Sequence, residues 1–154
     1  MHLRVHRDER LRERELGVLD LLTSRGVESR FPQEAARRAR IGKFYHRPPG
    51  GESWVDVALR LRSVRDSLGR EHPGKRVLLV AHEVVILMMR YLLEELDEQT
   101  VLGMGGGQLA NCSLTTYRTD HDGHPQLELV GWTAPLERAS TQVTTAPEQP
   151  VARR

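Results

Sequence analysis

The 154-residue chain holds a single cysteine, Cys112, which excludes an intrachain disulfide and a cysteine-only zinc site. Such scarcity suits a reducing compartment, and a cytoplasmic location is expected. Aromatic residues make up 5% of the chain and lysine is nearly absent, Lys43 and Lys75 being the two lysines among 23 basic residues. Arginine therefore carries the positive charge, in a form suited to two-point contact with phosphate or carboxylate. Acidic residues almost cancel it and leave a net charge of +2, so no nucleic-acid partner is expected. A long apolar run is also missing. The most apolar stretch, residues 77–96, is interrupted by His82, Glu83, Arg90, Glu94 and Glu95, and no membrane partner is expected. The opening residues carry no apolar segment that would read as a signal or an anchor.

The hydrophobic share, 38%, is enough for one core, and a single domain is expected over residues 1–136. Residues 137–154 contain almost nothing apolar and two prolines, the composition of a disordered tail. Residues 8–17 are charge-dense and end at Gly17, which reads as an exposed loop. A short helix is expected over residues 18–24. A second is expected to open at Pro32, a favoured first-turn residue, and to stop at Gly42.

Ser53, with Asp56 three residues on, forms a variant capping box. Behind it Trp54, Val57, Ala58, Leu61, Val64 and Leu68 step by three and four, which predicts one buried helical stripe ending near Gly69. Residues 76–81, RVLLVA, form a short apolar run bounded by a turn, as in a parallel strand buried on both faces. A helix over 83–96 and a small one over 97–102 should follow. Residues 113–118 and 126–132 alternate as two strands around a hairpin turn.

His82 ends the expected strand and begins the expected helix. Ligands of open α/β sheets bind beyond the carboxyl ends of strands, and a helix N-terminus favours an anion such as phosphate. From these residues alone, a ligand-facing histidine and a structural one both remain open. Glu13 and Glu15 read by composition as solvated charges, although a carboxyl group near a phosphate could protonate a leaving oxygen. Arg37, Arg38 and Arg40 read as a solvated helix face. The run Gly103-Met104-Gly105-Gly106-Gly107 lacks the Lys-Ser/Thr of a P-loop. Asp120, His121, Asp122 and His124 fit a turn better than a metal site, and no metal is expected.

Four segments, taken in order, resemble the histidine phosphatase superfamily, the phosphoglycerate mutase-like proteins, with the fructose-2,6-bisphosphatase-type domain as the most similar pattern. They are Leu11-Arg12-Glu13-Arg14-Glu15-Leu16-Gly17; Phe31 to Ser53, including Lys43-Phe44-Tyr45-His46 and Pro49-Gly50-Gly51-Glu52-Ser53; Val77 to His82; and Asn111-Cys112-Ser113-Leu114-Thr115. The resemblance implies an α/β, three-layer αβα fold and phosphate ester hydrolysis or phosphoryl transfer through phosphohistidine, without metal or cofactor. It implies Glu13 as proton donor and His82 as the second pocket histidine. Arg12, Arg38 (or Arg40), Lys43, Ser53 and Asn111 would be phosphate- or substrate-binding positions, and the partner would be a phosphorylated small molecule.

The family's nucleophile lies in an opening strand ending Arg-His-Gly, and these residues contain no such sequence. A partial fold lacking that strand, without phosphatase activity of its own, is therefore expected. Trp54 stands where the sugar bisphosphatases have tyrosine, and Glu83 and Leu87 where they have glutamine and arginine, which disfavours a second phosphate. A non-catalytic α/β module and a phosphoglycerate mutase-type isomerase are the alternative readings. Oligomeric state is not read from the sequence.

Overall fold

A computed structural model describes residues 4–105 and 109–134. The expected tail, residues 137–154, the end of the expected domain and Gly106 and Gly107 lie outside the described residues. A 3-10 turn, Glu9–Leu11, is followed by an irregular stretch and a second 3-10 turn, Gly17–Leu19. Five helices come next: α1 (Ser24–Arg30), α2 (Pro32–Ile41), α3 (Trp54–Glu71), α4 (Glu83–Leu93) and α5 (Glu98–Gly103). Strands β1 (Leu114–Thr119) and β2 (Pro125–Trp132) close the order as an antiparallel hairpin.

α3 forms as its pattern predicts. The Ser53 hydroxyl accepts the Asp56 N–H at 3.2 Å, while Asp56 Oδ2 accepts the Ser53 N–H at 2.8 Å, so two orphan donors are satisfied reciprocally. Trp54, Val57, Ala58, Leu61 and Val64 are buried against Val85, Leu87, Met88 and Leu92 of α4, with Phe44 and Val101 completing the core. The helix runs two residues past Gly69, because the apolar contact of Leu68 and the His72 N–H bond to its carbonyl hold the last turn. α2 begins at Pro32 and stops at Gly42 as expected.

Three expectations need correction. The helix expected over 18–24 is instead the 3-10 turn Gly17–Leu19, and α1 starts at Ser24 because the Thr23 hydroxyl caps it, accepting the Gly26 N–H at 3.2 Å. α4 stops at Leu93 rather than 96, since Glu95 takes a left-handed φ of 53° and Asp97 caps the next helix. Residues 76–81 pair with no strand, and the buried parallel strand is not formed among the described residues. Val77, Leu78 and Val80 are 46%, 68% and 83% exposed. A strand apolar on both faces needs a neighbour on each edge and a layer on each side, and the hairpin supplies neither. No described helix is long and apolar enough to cross a membrane.

Candidate active site

The first helical N–H groups of α4 have no partner within the helix and point toward the residues before it. His82 is the N-cap of that helix, in extended backbone and exposed, and its ring makes no capping bond. Glu13 reaches the same spot from 71 residues away, its Oε2 accepting the Val84 N–H at 3.2 Å. Its Oε1 accepts the Arg14 N–H at 2.6 Å. The two residues singled out by sequence for chemistry therefore meet at one helix N-terminus, where the dipole favours an anion.

Three cations gather beside them. Lys43, in the turn after α2, is half-buried, and its Nζ lies 5.1 Å from the centre of the Trp54 ring. Burial pushes its ammonium below the ordinary lysine value, and the charges of Arg38 and Arg14 push the same way against Glu83. Arg14 is lowered for the same reasons, first burial and then Arg38, with Glu13, Glu52 and Asp56 opposing. Arg38 is thus the α2 arginine that acts on both, whereas Arg40 is exposed. Like charges held together in a partly dry setting are an arrangement that an anion relieves. Gly105 lies close to Lys43: a Cβ built on it would lie 3.8 Å from Lys43 Nζ, 3.6 Å from Leu87 Cδ1 and 3.6 Å from the Leu102 carbonyl oxygen.

The loop that carries Glu13 is fastened to the start of α3. Glu52 bonds both main-chain groups of Glu15, donating its N–H to the Glu15 carbonyl at 2.9 Å and accepting the Glu15 N–H on Oε2 at 3.1 Å. The Arg14 guanidinium donates to the Glu52 carbonyl at 2.7 Å and to the His46 carbonyl at 3.3 Å. Burial pushes the Glu52 carboxyl up, but the Arg60 fork, the Glu15 N–H and the charges of Arg60 and Arg12 outweigh it and hold the group below the usual carboxylate range.

The other expected positions sit as follows. Arg12 is half-exposed and turned to Glu52 Oε1 at 3.2 Å and Glu15 Oε2 at 3.7 Å. The Ser53 hydroxyl is buried in the α3 cap, where it also donates to Asp56 Oδ2 at 2.7 Å. Asn111 is exposed in the turn that opens β1. In the hairpin turn Asp120 accepts the N–H groups of Asp122 and His124 and the Gln126 amide, and no metal-holding cluster occurs among the described residues.

Sequence reasoning passed over two residues as site members. Arg14 was hidden in a charge-dense run that reads as solvent-facing. His46, 2% exposed, has its Nε2 3.0 Å from Glu34 Oε2, a contact across 12 residues that no helical or strand period predicts.

Known proteins share the sequence pattern and the fold of this chain. The family model of the histidine phosphatase superfamily (branch 1) matches residues 1–133. A probable phosphoglycerate mutase of Yersinia enterocolitica, GpmB, is 33% identical over 132 residues, covering 84% of this chain and 57% of that protein. Human 6-phosphofructo-2-kinase/fructose-2,6-bisphosphatase 3 is 33% identical over 90 residues, 58% of this chain and 16% of that one. The solved structure of a mycobacterial glucosyl-3-phosphoglycerate phosphatase superimposes with a TM-score of 0.64 at 29% identity, covering 82% of this chain and 64% of that one. The chain thus spans less than two thirds of these relatives, and its mixed helix-and-strand architecture is that of the phosphoglycerate mutase-like fold.

Proposed function

Because the chain belongs to the histidine phosphatase superfamily, branch 1, we propose that the start of α4 is the acid side of a phosphoryl-transfer centre for phosphorylated small molecules. The observation that carries this reading is the Glu13 carboxylate on the Val84 N–H, beside the exposed ring of His82. In the proposed roles, His82 and the positive end of α4 hold phosphoryl oxygens, and Glu13, in its protonated form, gives its proton to the leaving oxygen. Arg14, Arg38 and Lys43 balance the charge of a phosphate ester. With Leu87 rather than a cation near Lys43, the site takes one phosphate rather than two.

Phosphohistidine chemistry also requires an attacking imidazole. Of the described histidines other than His82, His6 is exposed in the irregular stretch before the first 3-10 turn and is followed by Arg7 rather than glycine, His46 is buried on Glu34, His72 caps the end of α3, and His121 and His124 lie at the hairpin turn. The 154 residues are therefore proposed to bind a phosphate ester without turning it over, in a reducing, cytoplasmic setting. Titration with inorganic phosphate and with vanadate, followed by isothermal calorimetry, tests the binding: wild type binds, and His82→Ala and Lys43→Met bind more weakly. Failure of the folded wild-type chain to bind either anion refutes the site. Rapid p-nitrophenyl phosphate hydrolysis that His82→Ala abolishes refutes the proposed inactivity.

A non-catalytic α/β module is the second reading, favoured by the exposed and unpaired residues Val77, Leu78 and Val80. A cooperatively folded chain with no anion affinity would support it.

A further inference from the structure

The guanidinium of Arg60, on the second turn of α3, lies between two things the site needs held apart and fixed. Toward its own helix it grips Glu52 with two parallel bonds, Nε to Oε1 at 2.9 Å and Nη2 to Oε2 at 3.1 Å. On its other side Nη1 donates to the Arg10 carbonyl at 2.5 Å and Nη2 to the carbonyl of Glu13 itself at 3.4 Å. The side chain is only 12% exposed and its partner Glu52 14%. A planar fork of five donors in a nearly dry place has few alternative arrangements, so these four bonds define where the main chain of residues 10–13 can lie. Glu52 completes the frame from the other flank through both main-chain groups of Glu15.

We propose that Arg60, through its forked pair with Glu52, is a positioning residue that sets the Glu13 carboxylate against the start of α4. It touches neither a substrate nor the Glu13 carboxylate. Its effect runs through the carbonyl of Glu13, one residue's geometry away from the carboxylate that meets the Val84 N–H. The inference rests on the reading of Glu13 as the acid of the site. The geometric part, however, holds or fails independently of whether any phosphate binds.

A neighbouring clamp supplies the control. Arg10 ties the same loop to α3 through the Ser63 carbonyl at 3.1 Å, the Ser63 hydroxyl at 2.8 Å and the Ser67 hydroxyl at 3.1 Å, but it does not contact residues 13–15 in these bonds. Its removal should loosen the loop's anchor without releasing the backbone at Glu13.

The test follows the backbone amide of Val84 in the isotope-labelled 154-residue chain by NMR at one fixed pH. In wild type its resonance carries the displacement that the Glu13 side chain imposes on the N–H it accepts. Glu13→Gln removes the charge of that acceptor, and the difference between the two spectra defines the Glu13-dependent shift. Arg60→Met is expected to lose most of the Glu13-dependent shift while melting remains cooperative by circular dichroism. Arg60→Lys, which keeps the charge without the fork, should recover part of it. Arg10→Met should lower the melting temperature and keep the shift. If Arg60→Met does not fold, Arg60→Lys decides: a full wild-type shift with a single-point contact overturns the proposal, and a reduced one supports it. A full shift in Arg60→Met, or an equal loss in Arg10→Met, also overturns it. Wild type that shows the Val84 response but binds no phosphate refutes the proposed function and leaves the positioning role standing.

Discussion

Gly17→Ala is the most damaging single methyl group that the structure allows for the loop bearing Glu13. Gly17 has φ +55°, and a Cβ there would lie 2.2 Å from the Pro49 carbonyl oxygen, 2.6 Å from the Gly50 carbonyl carbon and 2.7 Å from the Gly51 nitrogen. All three are backbone atoms. The Pro49 carbonyl also accepts the Val18 N–H at 3.1 Å, so it cannot swing aside without giving up that bond. Left-handed backbone costs an alanine about 1–2 kcal/mol, and forcing a methyl group into a filled space adds about 1–3 kcal/mol, for a total of about 2–5 kcal/mol.

Gly74 separates the two terms, because its φ is +66° and nothing lies within 4 Å of a built Cβ. Gly74→Ala should therefore cost about 1 kcal/mol from backbone strain, part of it offset by a less flexible unfolded chain. For a chain of this size each kcal/mol corresponds to about 2–4 °C in melting temperature. Thermal melts by circular dichroism should show a drop of about 4–20 °C for Gly17→Ala against about 2–4 °C for Gly74→Ala. Equal drops would refute the reasoning, since they would mean that the 49–51 backbone does not pack on Gly17.

Lys43→Met removes a partly buried cation from beside Arg14 and Arg38, so it should raise the melting temperature of the free chain while weakening phosphate binding by calorimetry. Because the folded-state value of Lys43 is lowered, the folded chain gives up this proton first. Stability relative to the variant should then rise as pH climbs through that lowered value toward the ordinary lysine value, which melts in alkaline buffer will check. Ser53→Ala breaks the capping box and should cost about 1 kcal/mol in urea titrations, with Asp56 still paired to Arg47. Glu94 is held below its usual range first by the hydrogen bonds of Arg90, and the Tyr117 hydroxyl adds to this against burial. Its contribution is present above the ordinary carboxylate value and lost as pH falls through the lowered one. Glu94→Gln should flatten that part of the acid stability profile, and an unchanged profile would count against the Arg90–Glu94–Tyr117 link.

Elements whose cause is local were readable in the chain. The stripe behind Ser53, the Pro32 start and Gly42 stop of α2 and the hairpin around residues 120–124 all follow from signals within one element. Residues 76–81 show the limit: their composition states an appetite for burial on two faces, whereas strand formation depends on neighbours that composition does not reveal. Glu13 and His82 could be named from the resemblance, but only the fold shows that they share one helix N-terminus. Arg14 and His46 make their defining contacts across 32 and 12 residues, and Arg60 reaches the Arg10 carbonyl across 50, distances at which no period operates.

The adjacency of Glu52 and Ser53 gives assembly an order. Ser53 closes a local turn with Asp56, three residues away, while Glu52 and Arg60 must capture partners 37 to 50 residues back along the chain. Closing that span costs chain entropy that the short cap does not, so helix α3 is expected to form before the acid loop docks onto it. The rate at which the site assembles is thus expected to follow loop search, and its persistence to follow the joint hold of Arg10, Arg14, Glu52 and Arg60 on the loop.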